Sequence, residues 1–312
     1  MAEGACIQEK RLRPLRKGTA RLAFGAYEKF GDLDVQIVPV GVNYTYPNEF
    51  RSEAMFDFGH PIAVRDYLQL YDENPNRAFK ELTEELRSRL EKRIVIIEQE
   101  ADETLTENLL ITHRSDYPDE LLPFLSEEPD RLMHEISIAR QVNEIVPEKK
   151  KSLLELSERY FNEIQTLNIS DQGVVRPNFA NSSNFIVLVT GFIPFVLGYY
   201  GNWLPMRYAQ HIMDSRVKDV EDRMSVGIAV ALGAVIIYYV LLFCLALVIN
   251  KLSFWIFLVL LPIWGLFSLM YKEFYDKYKV AKKVQALGEP VLQDLRQARK
   301  KMLEKFSLVT YN

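Results

Sequence analysis

The sequence predicts three kinds of structure in succession: a mixed helix-and-strand segment over residues 1–100, a helical region over 101–184, and apolar membrane segments over 185–271 that end in a helical hairpin, with a basic tail at 272–312. Three observations predict this order. Helical and strand-like patterns alternate near the start of the chain. Apolar positions then recur at helical spacing from about residue 102 to 167. Finally, the runs 185–206, 226–249 and 252–271 contain no Asp, Glu, Lys or Arg.

The first helix is predicted over 19–30, where Ala20, Ala23, Phe24 and Tyr27 fall on one face. Lys17-Gly18-Thr19 starts it and Gly31-Asp32 ends it. Residues 35–42 read as a strand buried on both faces, with Pro39 marking an edge or a break in the pleat. Residues 53–58 alternate, with Ala54, Phe56 and Phe58 on one face. An amphipathic helix over 76–93 carries Leu82, Leu86 and Leu90, and 94–97 reads as a short strand. Beyond it, Pro118, Pro123, Pro129 and Pro147 divide the helical region, and 168–184 reads as a linker.

A bilayer crossing takes about 20 apolar residues for roughly 30 Å of hydrocarbon. Residues 226–249 and 252–271 meet that length, with only Asn250 and Lys251 between them, and read as a tight spanning hairpin. A soluble helix pair would keep a polar face, which neither run has. Residues 185–206 are interrupted by Gly191, Pro194, Gly198 and Gly201 and end at Asn202-Trp203-Leu204-Pro205, so they read as re-entrant or as a third span. The tail has ten Lys and Arg against five Asp and Glu, and reads as a helix on the membrane surface. The positive-inside rule places this tail and the loop 207–223 in the cytoplasm, with Lys251 outside; the soluble region, residues 1–184, joins them there when 185–206 enters and leaves on one side.

Composition narrows the function. A net charge of −4 over 312 residues gives no basic signal for nucleic acid. Four scattered histidines and no Cys-x-x-Cys supply no metal spacing. Cys6 and Cys244 form no framework and read as structural. Residues 1–30 are basic and lack the apolar core of a signal peptide. The membrane runs lack the charged groups that pathways for charged solutes need, which argues against a transporter.

Glu3-Gly4, then Arg13-Pro14-Leu15-Arg16-Lys17-Gly18-Thr19-Ala20, then the apolar run 37–42 with Pro39 resemble the third and fourth sequence blocks of the PlsC-like glycerolipid acyltransferases. Val38 to Tyr44, Phe50-Arg51-Ser52 and Phe58-Gly59-His60-Pro61-Ile62 resemble the glycerol-3-phosphate/dihydroxyacetone-phosphate branch of that family. Val217-Lys218-Asp219 and the terminal apolar hairpin extend the likeness more loosely. The resemblance implies that residues 1–100 are α/β, the second half of an acyltransferase domain. It implies transfer of a fatty acyl group from acyl-CoA or an acyl carrier protein to glycerol 3-phosphate or lysophosphatidic acid at a lipid bilayer, with no cofactor.

Such a reaction needs a base for the attacking hydroxyl and a grip on the substrate phosphate. The resemblance makes Glu3, Gly4, Lys17, Gly18 and Arg21 the substrate-binding residues. Independently, Lys17 and Arg21 flank a helix start, whose free N–H groups and adjacent cations suit an anion. The family's base belongs to an Asn-His-x4-Asp block. Here the residue five positions after each histidine is Arg65, Pro118, Ala139 or Arg216, never Asp. That block is therefore expected upstream of Met1, and the chain is expected to be a truncated part, inactive alone. The alternative is a membrane-anchored scaffold or lipid-phosphate-binding remnant without catalysis.

Overall fold

The computed structural model describes residues 9–31, 33–46, 52–117, 129–216 and 220–310. The chain divides into two compact units. The first lies within Met1–Leu110, Leu125–Glu155 and Lys305–Asn312; the second comprises Ile111–Phe124 and Leu156–Glu304.

In the first unit, α1 (Gly18–Phe30) buries Ala20, Ala23 and Phe24. It packs on α3 (Pro75–Glu91), which contributes Ala78, Leu82 and Leu86 to the same core. Phe24 stacks on Tyr71 of α2 (Leu68–Glu73), with ring centroids 4.3 Å apart and planes 6° from parallel. Each boundary has a local cause. Gly31 closes α1 at φ 59°, a left-handed conformation that only glycine takes without strain. Pro75 opens α3, where the Asn74 side chain accepts a bond from the Arg77 N–H.

The strands depart from the expected single run over 35–42. Val38 and Pro39 split it into β1 (Gln36–Ile37) and β2 (Val40–Tyr44). β1 pairs antiparallel with β4 (Ile62–Ala63), and β2 pairs antiparallel with β3 (Ala54–Phe58). Proline has no N–H to give to a ladder. The chain uses the Pro39 carbonyl instead, which accepts from the Gly59 N–H at 2.8 Å. The sheet content of the described residues is therefore these two small ladders, so the expected α/β character is only partly met and helix predominates.

Residues 94–97 do not form a strand. Asparagine side chains take over the role of a ladder. Asn43 donates to the Arg93 carbonyl and accepts from the Val95 N–H, at 3.0 and 2.8 Å. Asn143 of α5 (Pro129–Glu144) donates to the Ile96 carbonyl and accepts from the Glu98 N–H. Val95 is thereby buried with its N–H satisfied by Asn43, and the buried Ile97 donates its N–H to the Lys10 carbonyl. Two helices, α4 (Glu103–Asp116) and α6 (Pro147–Thr166), begin in this unit and end in the other.

The second unit contains α7 (Asp171–Val175), α8 (Ser182–Gly201), α9 (Trp203–Arg216), α10 (Val220–Ile249), α11 (Leu252–Ala286) and most of α12 (Glu289–Thr310). Among the described residues, three helical segments are long and apolar enough to cross a membrane: Ser182–Gly201, Ser225–Ile249 and Leu252–Ala286. In the uncharged runs large apolar side chains face outward, among them Ile193, Ile237, Leu241 and Val259. α8 lies along α11 and α9 along α10. The interval 168–184 is more ordered than a plain linker, holding α7 and a 3₁₀ turn at Pro177–Phe179.

The tail departs from a helix lying on the bilayer. α11 continues well past its apolar run, Gly288 bends the chain at φ 84°, and α12 follows. Leu292, Leu295 and Met302 of α12 are buried in protein, so its apolar stripe is covered without lipid.

Candidate functional site

Three sets of interactions hold the chain leading into α1. The Ile97 N–H donates to the Lys10 carbonyl at 2.7 Å. Lys10 and Arg11 form ion pairs with Glu107 and Glu103 on α4. The Arg87 guanidinium on α3 donates to the carbonyls of Leu12 and Arg13. Arg13 is further paired with Glu9. This leaves the basic run divided. Among the described residues, Lys10, Arg11 and Arg13 have carboxylate partners, while no carboxylate lies within ion-pair distance of Arg16, Lys17 or Arg21.

Those three cations collect at the start of α1. Lys17 is the N-cap, and its side chain makes no capping bond, so the first N–H groups of the helix have no side-chain acceptor there. The Arg21 N–H closes the first turn on the Lys17 carbonyl at 3.0 Å. One turn apart, Lys17 and Arg21 share a helix face. Both are exposed. Arg21 is steered by Phe79, whose ring centroid lies 5.9 Å from its guanidinium carbon. A Cβ built on Gly18 meets nothing within 4 Å, so internal packing does not demand glycine there and the approach to the helix start is open. The arrangement suits an exposed, divalent anion: uncompensated cations, free backbone N–H groups, and the positive end of a helix.

The structure thus brings Lys17, Gly18 and Arg21 together on one helix start, and Arg16 joins them. Glu3 and Gly4 lie outside the described residues, as does Val217-Lys218-Asp219. His60 sits exposed in the turn after β3, where Arg89 donates to the carbonyls of His60 and Pro61. Among the described residues no group of three or more His, Cys, Asp and Glu is arranged to hold a metal ion. Two clefts, of about 320 and 270 Å³, are lined by residues of the second unit and include none of the predicted site residues.

A buried ionic cluster in the second unit was not visible in the sequence. Arg299 of α12 donates to both carboxylate oxygens of Asp171, at 3.0 and 3.3 Å, and to Asp116 at 2.7 Å. Tyr160 donates to the same Asp171 carboxylate at 2.5 Å. Asp171 and Tyr160 are almost wholly buried. Burial first, and the adjacent Asp171 charge second, hold the Tyr160 hydroxyl well above its ordinary pKa of 10.0. No sequence signal distinguishes Arg299 from the other tail cations; its partner lies 128 residues away. The cluster ties α12 to α7 and to the end of α4, which is a structural role.

No family model matches the chain, and no solved structure matches it significantly. Curated sequences do. The chain is 43% identical over 83 residues to glycerol-3-phosphate O-acyltransferase 1 of Saccharomyces cerevisiae, a stretch covering 26% of this chain and 11% of that relative. It is 32% identical over 89 residues to glycerol-3-phosphate O-acyltransferase 2 of the same yeast, covering 28% of this chain and 12% of the relative. An uncharacterized acyltransferase of Schizosaccharomyces pombe matches at 33% over 76 residues, 24% of this chain and 11% of the relative. The matched stretch is thus a small part of each relative, and over that stretch this chain is similar to glycerol-3-phosphate acyltransferases.

Proposed function

We propose that this chain is part of a membrane-bound glycerolipid acyltransferase. It would transfer a fatty acyl group from a thioester donor, acyl-CoA or acyl carrier protein, to a hydroxyl of glycerol 3-phosphate or lysophosphatidic acid. The observation that carries the reading is the 43% identity to a glycerol-3-phosphate O-acyltransferase. The uncompensated cations at the start of α1 support it, because they fit the phosphate such an acceptor carries. The three apolar helical segments support it as well, since both lipid product and long-chain donor partition to a bilayer. The soluble region and tail face the cytoplasm in this reading.

In the proposed mechanism Lys17 and Arg21 hold the acceptor phosphate, Gly18 leaves the helix start open to it, and Glu3 with Gly4 contacts the glycerol. The base that takes the hydroxyl proton comes from a segment bearing Asn-His-x4-Asp, because no histidine of this chain has that spacing. The same fact favours a second reading, a membrane-anchored scaffold that keeps a lipid-phosphate site without catalysis.

The first test is kinetic, in an assembly that holds both parts. Lys17→Ala should raise the Michaelis constant for glycerol 3-phosphate roughly ten- to a hundredfold, the equivalent of about 1.5–3 kcal/mol for a charged hydrogen bond. The constant for the acyl donor should stay within a factor of about two. An unchanged response to the acceptor would make Lys17 a solvated surface lysine and remove the phosphate role.

A further inference from the structure

The break between α8 and α9 lies at an unusual depth. Asn202 ends α8, and α9 starts at the next residue. The Asn202 side chain donates to the Gly198 carbonyl at 2.9 Å and to the Leu261 carbonyl of α11 at 3.2 Å. From α10, the Tyr239 hydroxyl donates to the Asn202 side-chain oxygen at 3.1 Å, and the Tyr238 hydroxyl donates to the Gly201 carbonyl at 2.8 Å. The tip of the α8–α9 pair is therefore bonded to both helices of the terminal hairpin.

Leu261 comes ten residues after Lys251 and ten before Tyr271, the last residue of the uncharged run. Tyr238 comes twelve residues before Asn250 and twelve after Val226. At 1.5 Å per residue these are about 15 and 18 Å from either end, close to the middle of a hydrocarbon core of roughly 30 Å. The two legs confirm the direction. α8 runs beside α11 from Phe185 against Tyr278, through Gly191 beside Phe267 and Tyr271, to Gly198 against the Trp264 backbone and Gly201 against Leu261. α9 then returns beside α10, reaching Met213 against Gly227 near the start of the apolar run.

We propose that α8 and α9 form a re-entrant hairpin seated in one leaflet, entering and leaving on the side of the tail, with Asn202 at its tip near mid-bilayer. Its partner is the acyl-chain layer of that leaflet, which the exposed Phe185, Val189, Ile193, Tyr200 and Leu204 face. Interrupted backbone is tolerated at such depth only where protein satisfies it; the bonds from Tyr238 and Asn202 to backbone carbonyls do this, and Tyr239 holds the Asn202 side chain in place. α8 carries no charge, and the first charge after the tip is Arg207, exposed on α9. It lies five residues, about 7.5 Å, past Asn202 on the returning leg, from which a long side chain extends toward the headgroups. The inference rests on α10 and α11 crossing the bilayer and is independent of the acyltransferase reading.

Single cysteines test it, in the full chain carrying Cys6→Ser and Cys244→Ser, in sealed membranes with a membrane-impermeant maleimide. Ser183→Cys and Ser215→Cys should label from the same side, and Asn250→Cys from the opposite side only. Leu204→Cys should resist the impermeant reagent from both sides and react with a lipid-soluble maleimide. Labelling of Ser183→Cys and Ser215→Cys from opposite sides would make α8 a third span and overturn the proposal. Labelling of Leu204→Cys by the impermeant reagent would put the hairpin on the membrane surface and overturn it equally. Neither outcome bears on whether the chain belongs to an acyltransferase.

Discussion

At Arg299, one guanidinium pairs with two carboxylates, and only 13% of its side chain is exposed. Removing one partner of a buried ion pair leaves an uncompensated charge, at a cost of about 3–5 kcal/mol. Arg299→Ala should therefore lower the thermal midpoint in detergent strongly, whereas Lys300→Ala, on the neighbouring exposed position, should shift it little. Equal effects would show that Asp171 does not depend on Arg299. Tyr160 adds a pH dependence. Its pKa is raised in the folded state, chiefly by burial, so above pH 10 the unfolded chain loses a proton that the folded one keeps. Stability should be fully present below about pH 10 and fall by roughly 1.4 kcal/mol per unit above it. Tyr160→Phe should flatten that slope in an alkaline unfolding titration. The pairing is illegible in the sequence because charge and hydroxyl meet across 11 and 128 residues, with no periodicity to connect them.

Whether a helix or strand could be read from the chain depended on what satisfied its backbone. Helices satisfy themselves, so the stripes of Ala20, Ala23 and Phe24 and of Leu82 and Leu86 mark α1 and α3 directly. Strands depend on a neighbour. Residues 94–97 have strand composition, but Asn43 and Asn143 supply the hydrogen bonds that a ladder would. Asn43→Ala should strand the buried Val95 N–H and cost about 1–3 kcal/mol, readable as a lowered midpoint of chemical unfolding. An unchanged midpoint would mean that water or a rearranged loop takes the place of Asn43. In the long apolar helices, composition marks candidate membrane segments but not their contacts. Gly198 illustrates this: a Cβ there would stand 1.9 Å from the Trp264 carbonyl oxygen, so Gly198→Ala should loosen α8 from α11. The measurement is proteolytic or thermal sensitivity in detergent, which should rise for Gly198→Ala and stay unchanged for Gly233→Ala, whose Cβ meets open space.

For the whole molecule, the sequence predicts an order that moves from mixed helix and strand to helix to apolar segments long enough to cross a membrane. It does not show that the chain forms two units whose boundaries cut through α4 and α6. Nor does it show that the basic tail buries an apolar stripe, since period alone cannot say whether lipid or protein covers it. The candidate phosphate site was legible in part. Lys17 and Arg21 could be placed on a helix start from spacing, but the division of the basic run into paired and uncompensated cations needed the positions of Glu103 and Glu107. In the proposed function these cations serve acyl transfer together with a base from an Asn-His-x4-Asp segment. The most direct measurement is incorporation of labelled glycerol 3-phosphate into lipid by purified chain with acyl-CoA, alone and fused behind an acyltransferase segment bearing Asn-His-x4-Asp. The expected outcome is no incorporation above a blank for the chain alone, incorporation by the fusion, and its loss on replacing that histidine or Lys17 with Ala. Turnover by the chain alone, or a fusion whose turnover ignores Lys17, would contradict it.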